Sequence, residues 1–340
     1  MLIRKLIFDI LCYSGISYII FFVNRLQGKI PIILFHRVSP NPDPCWPPLT
    51  PTEFERTIKF LSGYYKFYSL NQILDQNEKI KSNACSIVFD DGFLDFKLHA
   101  FPVLDKYNIP VTLFIPTDNI NHNRPIWTSE IDSIVKATDI KMDKYIFQIG
   151  NKSVQLKLKT HRQLFQTAYE IKNLMLVVEP LERNRYIQKL RADLKIENEE
   201  SHPMLSWEDI NVMKAERPDL LNIQSHSHSH PYLPSLDKDA MNKELKESAQ
   251  ILNAKKNNPC TEIAYPIGGY NTKTLELVKK YYSFGYKVGN ESLVLKKLNS
   301  HSEYKYEIPR FNIHTSHPEE TFLFVNGFHG FLTSIIGKRK

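Results

Sequence analysis

The chain has 340 residues, enough to bury one large core or two smaller ones. Its 42% apolar and 24% charged residues are ordinary for a globular protein and exclude an intrinsically disordered chain. A net charge of +7 and a pI near 9.0 favour anionic surroundings such as phospholipid headgroups or lipid-linked phosphosugars. The basic residues are spread along the chain and form no aromatic-interleaved block, so no nucleic-acid partner is expected.

The first element is the apolar run Leu6 to Val23, flanked by Arg4-Lys5 and Arg25 and interrupted by Asp9. Its length is at the lower limit for spanning a bilayer, Ser14, Gly15 and Ser17 weaken it, and no small-residue cleavage site follows. It reads as an amphipathic helix on a membrane surface, a signal anchor, or a helix packed on the domain. The surface and packed readings are favoured, so residues 1–29 are set apart as a segment open to peripheral membrane contact. The location is then cytoplasmic or membrane-associated. The basic tail Lys338-Arg339-Lys340 helps a surface mode.

Seven short runs read as buried parallel strands, being continuously apolar and rich in β-branched or aromatic residues. They are Ile30–His36, Ser86–Asp91, Val111–Ile115, Leu221–His226, Glu262–Pro266, Phe284–Gly289 and Arg310–His314. Helical patterns lie between several of them. Thr50-Pro51-Thr52-Glu53 is a capping box with proline at the first helical position, Ser206-Trp207-Glu208-Asp209 opens another helix, and Met241, Leu245, Ala249 and Leu252 stripe a third. Strands alternating with helices imply a parallel sheet, closed as a barrel or doubly wound. The segment at about 121–203 breaks the alternation. It carries a hairpin pattern around Gly150-Asn151 and a charged helical region from His161 to Leu194, and is too long for a bare loop, so a subdomain is expected. Four cysteines, Cys12, Cys45, Cys85 and Cys260, form no C-x-x-C pair and suggest no disulfide framework.

The chemistry-bearing residues fall at the carboxyl ends of these strands: His36, Asp90-Asp91, His226 and His230, Pro266-Ile267-Gly268-Gly269, and His314. A barrel gathers such ends into one mouth, which makes it the better account. Alone, Asp90-Asp91-Gly92 is as well explained by an Asx turn. Three histidines in five residues after a buried strand argue for more. His226 and His230, four apart on a helical turn, would face one point while His228 turns away. One carboxylate and two imidazoles leave coordination positions open, which is the catalytic rather than the structural arrangement.

Phe89-Asp90-Asp91-Gly92 and His226-Ser227-His228-Ser229-His230-Pro231 resemble the first and second motifs of the polysaccharide deacetylases with the NodB homology domain, carbohydrate esterase family 4. Ile33-Leu34-Phe35-His36-Arg37-Val38 looks like the opening of that domain, and Asn108 to Phe114 like its third strand. The resemblance covers about 30–314 apart from the insertion. It implies a distorted (β/α) barrel of about seven parallel strands over residues 30–340, and metal-dependent removal of acetyl groups from N-acetylated sugars of a polysaccharide or lipid-linked glycan. Carried over by position, Asp90 is the general base, and Asp91, His226 and His230 hold a divalent ion, most often zinc. Deformylation or ester hydrolysis on a lipid-linked sugar, and an inactive glycan-binding member of the same fold, are the alternatives.

Two positions depart from the family pattern. Where many members have Arg-x-Pro-Tyr, this chain has Ala264-Tyr265-Pro266-Ile267, so the arginine that orients the catalytic aspartate is missing there; Arg310 is expected to replace it. The late histidine that protonates the leaving amine is matched by His314 outside the usual Leu-x-His form, with His36 as its rival. His36, Tyr265, Pro266, Ile267 and Gly268 are the expected substrate-binding residues, with the backbone N–H after Pro266 a candidate oxyanion donor.

Overall fold

Seven short runs of buried residues form the framework: β1 (Ile32–Phe35), β2 (Ala84–Phe89), β3 (Val111–Ile115), β4 (Leu221–Ser225), β5 (Glu262–Ala264), β6 (Phe284–Gly289) and β7 (Ile308–Asn312). The computed structural model describes residues 15–75, 80–197, 202–255 and 259–328. The strands pair in parallel in the order β1-β7-β6-β5-β4-β3-β2, and β2 pairs back onto β1, closing a distorted (β/α) barrel. A short strand, Lys66–Phe67, adds outside the ring against the start of β2. All seven runs expected from the sequence are strands of this ring.

The ring is weakest between β4 and β5, which share a single register pair, Ser225 with Ile263. There the Gln224 side chain takes over from the backbone ladder, its Oε1 accepting the N–H groups of Thr261 and Glu262 at 3.0 and 2.9 Å. Alternate residues fill the ring, among them Ile32, Leu34, Val88, Phe114, Tyr286 and Ile308. The residues between them, such as Ile33, Ile87, Leu113 and Ile223, pack outward in the larger apolar cluster.

Helix α1 (Ile16–Leu26) lies beside the amino ends of the strands, where Phe21 packs edge-on against Tyr65 at 5.2 Å. Its other face exposes Ile19, Phe22 and Leu26. No described helix is long and apolar enough to cross a membrane. The apolar run before residue 15 and the tail Lys338-Arg339-Lys340 lie outside the described residues. Helix α2 (Pro51–Ser62) begins at Thr50 in a full capping box with Glu53.

Between β3 and β4 the chain builds α3 (Trp127–Ala137), a hairpin of Ile146–Ile149 with Lys152–Gln155, α4 (His161–Met175) and α5 (Pro180–Asp193). These elements share their own apolar cluster, including Ile131, Ile134, Phe147, Leu156, Ile171 and Leu190. The helical region expected from His161 to Leu194 is thus two helices. They part at Glu179-Pro180, where the Glu179 carboxylate caps the N–H groups of Leu181 and Glu182. Helix α6 (Trp207–Glu216) opens at Ser206 in a capping box, and α7 (Lys238–Asn253) buries Met241, Leu245, Ala249 and Leu252. Cys45, Cys85 and Cys260 are free and buried.

Candidate active site

The end of β2 turns sharply at the mouth of the barrel. Asp90 N–H donates to the Phe35 carbonyl at 3.2 Å, and Asp91 and Gly92 both take left-handed backbone with φ of 74°. Gly92 is required twice over. Its φ suits glycine, and a Cβ there would lie 2.9 Å from Cγ2 of Ile115. The turn sends the two adjacent carboxylates to different partners.

Asp90 meets Arg310 of β7. The guanidinium donates from both terminal nitrogens, at 2.6 Å to Oδ1 and 2.9 Å to Oδ2, and Arg310 is wholly buried over the ring of Phe114. Burial alone would raise the Asp90 carboxyl. The charge of Arg310, then that of His226, outweighs burial and holds it below the usual carboxylate range. Asp91 meets the imidazoles instead: its Oδ1 lies 3.4 Å from Nε2 of His226 and 3.2 Å from Nε2 of His230. Burial again opposes ionisation, and the two imidazole contacts drive the Asp91 carboxyl well below its ordinary value.

The histidine segment is not the helical turn that its i, i+4 spacing suggested. It is an irregular loop in which Ser227 (φ 65°) and His230 (φ 56°) adopt left-handed backbone, and this brings the two rings to a centroid distance of 4.9 Å. Such strain persists only where surrounding contacts enforce it. The Glu244 carboxylate of α7 accepts the N–H groups of His228 and Ser229 and the Ser229 hydroxyl, at 3.0, 2.8 and 2.5 Å. From the insertion, Trp127 donates its indole N–H to the His230 carbonyl at 3.0 Å. His228 faces away, toward Thr117 and Glu247.

The ligand atoms of Asp91, His226 and His230 all lie within 4.8 Å of one another and are buried, so a single divalent ion can span them. Nδ1 of His226 donates to the Ala264 carbonyl at 2.9 Å, which orients the ring with Nε2 toward Asp91 and leaves Nε2 as the atom able to ligate an ion. Nδ1 of His230 is buried with no partner among the described residues. One carboxylate and two imidazoles is a donor set suited to zinc and similar ions.

A cavity of 1350 Å³ opens over these residues. His36, Asp90, Asp91, His226, His230, Tyr265, Ile267, Gly268 and His314 all border it. His36 packs edge-on against Trp46 at 5.5 Å; burial holds its imidazole below the usual value, against the opposing charges of Asp91 and Asp90. His314 is exposed at the rim, past the end of β7. Tyr265 is wholly buried with its hydroxyl donated to the Tyr306 carbonyl, so it braces the wall. Pro266 and Arg310 are buried behind the lining. Ile267 takes a φ of 59°, unusual for a β-branched residue, and turns its exposed side chain into the cavity.

Sequence reasoning missed Trp127 and Glu244, which shape the histidine loop from a distance in sequence and carry no local motif. It also missed a buried line of Ser129, His202 and Asp43: Oγ to Nδ1 is 2.6 Å and Nε2 to Oδ2 is 2.6 Å. Ser129 has no exposed surface, so the line fastens the insertion to the loop after β1 and offers no nucleophile.

A parallel-stranded barrel with a charge-paired carboxylate and a convergent carboxylate–imidazole set at its carboxyl mouth defines a (β/α)-barrel protein with an enzyme-like centre. The polysaccharide deacetylase family model matches residues 182–289, which include the histidine loop but not the aspartates. The Bacillus subtilis (strain 168) protein YxkH, whose name carries polysaccharide deacetylase, is 29% identical over 113 residues, 32% of this chain and 39% of that protein. Among solved structures, the Streptococcus pyogenes deacetylase PplD in complex with acetate has a TM-score of 0.55 at 19% identity, covering 87% of this chain and 96% of that one. IcaB from Ammonifex degensii has a TM-score of 0.55 at 15% identity, covering 87% and 96%. These matches make the carboxyl-terminal part of the barrel similar to polysaccharide deacetylases in sequence and the whole barrel similar to them in fold.

Proposed function

We propose that the protein is a metal-dependent hydrolase that removes acetyl groups from N-acetylated sugars of a polysaccharide or lipid-linked glycan. The observation that carries this reading is the division of the adjacent carboxylates, Asp90 on Arg310 and Asp91 on two imidazoles. Asp91, His226 and His230 would hold the ion, zinc by its donor set. When bound, such an ion supplies Lewis acidity toward water and the acyl carbonyl. Asp90, kept ionised by Arg310, takes the proton of the attacking water. The Ile267 N–H, beside the cavity, is the candidate donor to the developing oxyanion. His314 at the rim donates the proton to the leaving amine, because burial favours the neutral form of its rival His36. His36, Tyr265, Pro266, Ile267 and Gly268 form or support the surface that receives the acylated sugar. Arg310 touches Asp90 and not the cavity, so its role is positioning.

Acetate release from N-acetylated oligosaccharides, with chelator and with zinc restored, tests the reading. Release that survives thorough chelation removes the metal from it. Formate release moves the activity to deformylation, and no acyl release from any glycan leaves a binding protein. The exposed face of α1 supports peripheral membrane contact at the end opposite the mouth. Vesicle flotation checks this, since Phe22→Ser should weaken the association.

A further inference from the structure

The cavity extends well beyond the buried carboxylates and imidazoles, and its far wall is one face of α4. Arg162, Phe165, Tyr169 and Lys172, spaced three or four apart, border it together with Asn173 and with Leu176 at the helix end. The opposite face of the same helix, with Ala168, Ile171 and Met175, is buried in the core of the insertion. Folding therefore accounts for the second face and, on the first, for Lys172, paired with Asp132, and Leu176, packed on the same core, but not for Phe165 and Tyr169. On the first face Phe165 and Tyr169 are 42% and 52% exposed, yet their rings lie only 8° from coplanar with centroids 6.2 Å apart. Single exposed apolar residues need no explanation. Two aligned rings, on a helix face that borders the same cavity as the reactive carboxylates, do.

We propose that Phe165 and Tyr169 form a stacking platform for a sugar ring of the glycan chain, remote from the ring that carries the acyl group. The inference rests on the reading that the substrate is a glycan, and it adds where the rest of the chain lies. The volume of 1350 Å³ exceeds the roughly 300–1,000 Å³ usual for small-molecule sites, so the cavity suits an oligomer better than one sugar. A pyranose presents a face of C–H groups that packs on aromatic rings, while its hydroxyls reach polar groups at the edge such as Asn173. The cation on this face that adjoins Tyr169, Lys172, is paired with both oxygens of Asp132 at 2.7 and 2.9 Å, which favours an uncharged ring over a phosphate. A flat, half-exposed plate also suits a ring better than an acyl tail, which gains most from enclosure.

Calorimetric binding of N-acetylglucosamine oligomers, from the monosaccharide to the hexamer, to the full chain carrying Asp90→Asn tests the platform without turnover. Affinity should rise with chain length, and adding Phe165→Ala or Tyr169→Ala should cost about tenfold for the longer oligomers, as expected for an aromatic contact of about 1.4 kcal/mol. The monosaccharide should lose nothing. Phe165→Trp should preserve the length dependence and Phe165→Leu should not, because leucine is apolar without being flat. Thermal unfolding of each variant establishes that the fold is retained. Length-independent binding, alanine variants that bind long oligomers normally, or a leucine variant that behaves as the parent would each overturn the platform. Preferential binding of fatty-acyl micelles at the same rings would overturn it in favour of a lipid. A failure to release acetate, by contrast, tells against the deacetylase reading and leaves the binding result standing.

Discussion

The two ends of the cavity are built on different principles. At the barrel mouth, side chains with almost no exposure are locked by charge: Asp90 to Arg310, Asp91 to two imidazoles, and the histidine loop to Glu244 and Trp127. Asp91, Ser227, His230 and Ile267 all hold left-handed backbone there. At the α4 end two half-exposed rings stand on an ordinary helix. Strain and buried charge are tolerated where atoms must be held to a fraction of an ångström, and a helix face suffices where a chain only has to rest. Changes at the mouth should therefore act on metal content and turnover, and changes on α4 on the length of glycan preferred.

The largest effect should come from the proposed ion ligands. His226→Ala or His230→Ala should lose the ion and take activity to background, whereas His228→Ala should keep both, since His228 faces Thr117 and Glu247. Elemental analysis after dialysis separates them. Equal metal loss in all three would mean that the loop binds as a histidine-rich surface and not through a selected pair.

Asp90→Asn should follow, lowering turnover by about 10²–10⁴-fold with the ion retained, as expected for loss of a general base. If this variant lost the ion while Asp91→Asn kept it, the two carboxylates would exchange roles. Arg310→Lys should be milder. Lysine keeps the charge but lacks the planar fork that grips both Asp90 oxygens, so turnover should fall by about 10–10²-fold, the worth of one charge-assisted hydrogen bond. The acidic limb of the pH–rate profile should move upward as Asp90 loses part of what holds it low. An unshifted limb would make Arg310 a structural support only.

The same contrast explains what could be read from the sequence. The strands were legible because each is a short run buried on both sides, and the mouth because its aspartates and histidines follow such runs directly. Arg310 could be guessed only because Ala264 left a charge unbalanced. The histidine loop misled, because i, i+4 spacing fits a helical turn and the positive φ values at Ser227 and His230 have no signature in non-glycine residues. The split of the insertion helices at Glu179-Pro180 was masked by continuous charge. Phe165 and Tyr169 were invisible as a pair, since aromatics four apart on a helix ordinarily mark a core face.

The smallest effect, on stability and not on turnover, concerns a second buried carboxylate in the ring. Glu262 of β5 is wholly buried, with Oε2 accepting from the Tyr286 hydroxyl at 2.7 Å and Oε1 without a partner among the described residues. Burial pushes its pKa up from 4.5 to about 7, and the Tyr286 hydrogen bond offsets only part of this. Asp132 in the insertion is raised to about 6, with Lys172 opposing the shift. For Glu262 the native state binds the proton more tightly than the unfolded chain, so its contribution is fully present below about 4.5 and is lost as the pH rises through about 7. Glu262→Gln keeps an acceptor for Tyr286 and cannot ionise. Urea unfolding should then give a variant about 1–3 kcal/mol more stable than the parent at pH 8, with the difference vanishing near pH 4. Asp132→Asn should show no such gain, because removing that charge strands the partly buried Lys172 against a buried neutral amide. A Glu262→Gln stability curve parallel to the parent across this range would mean that water reaches the Glu262 carboxylate inside the ring and solvates its charge.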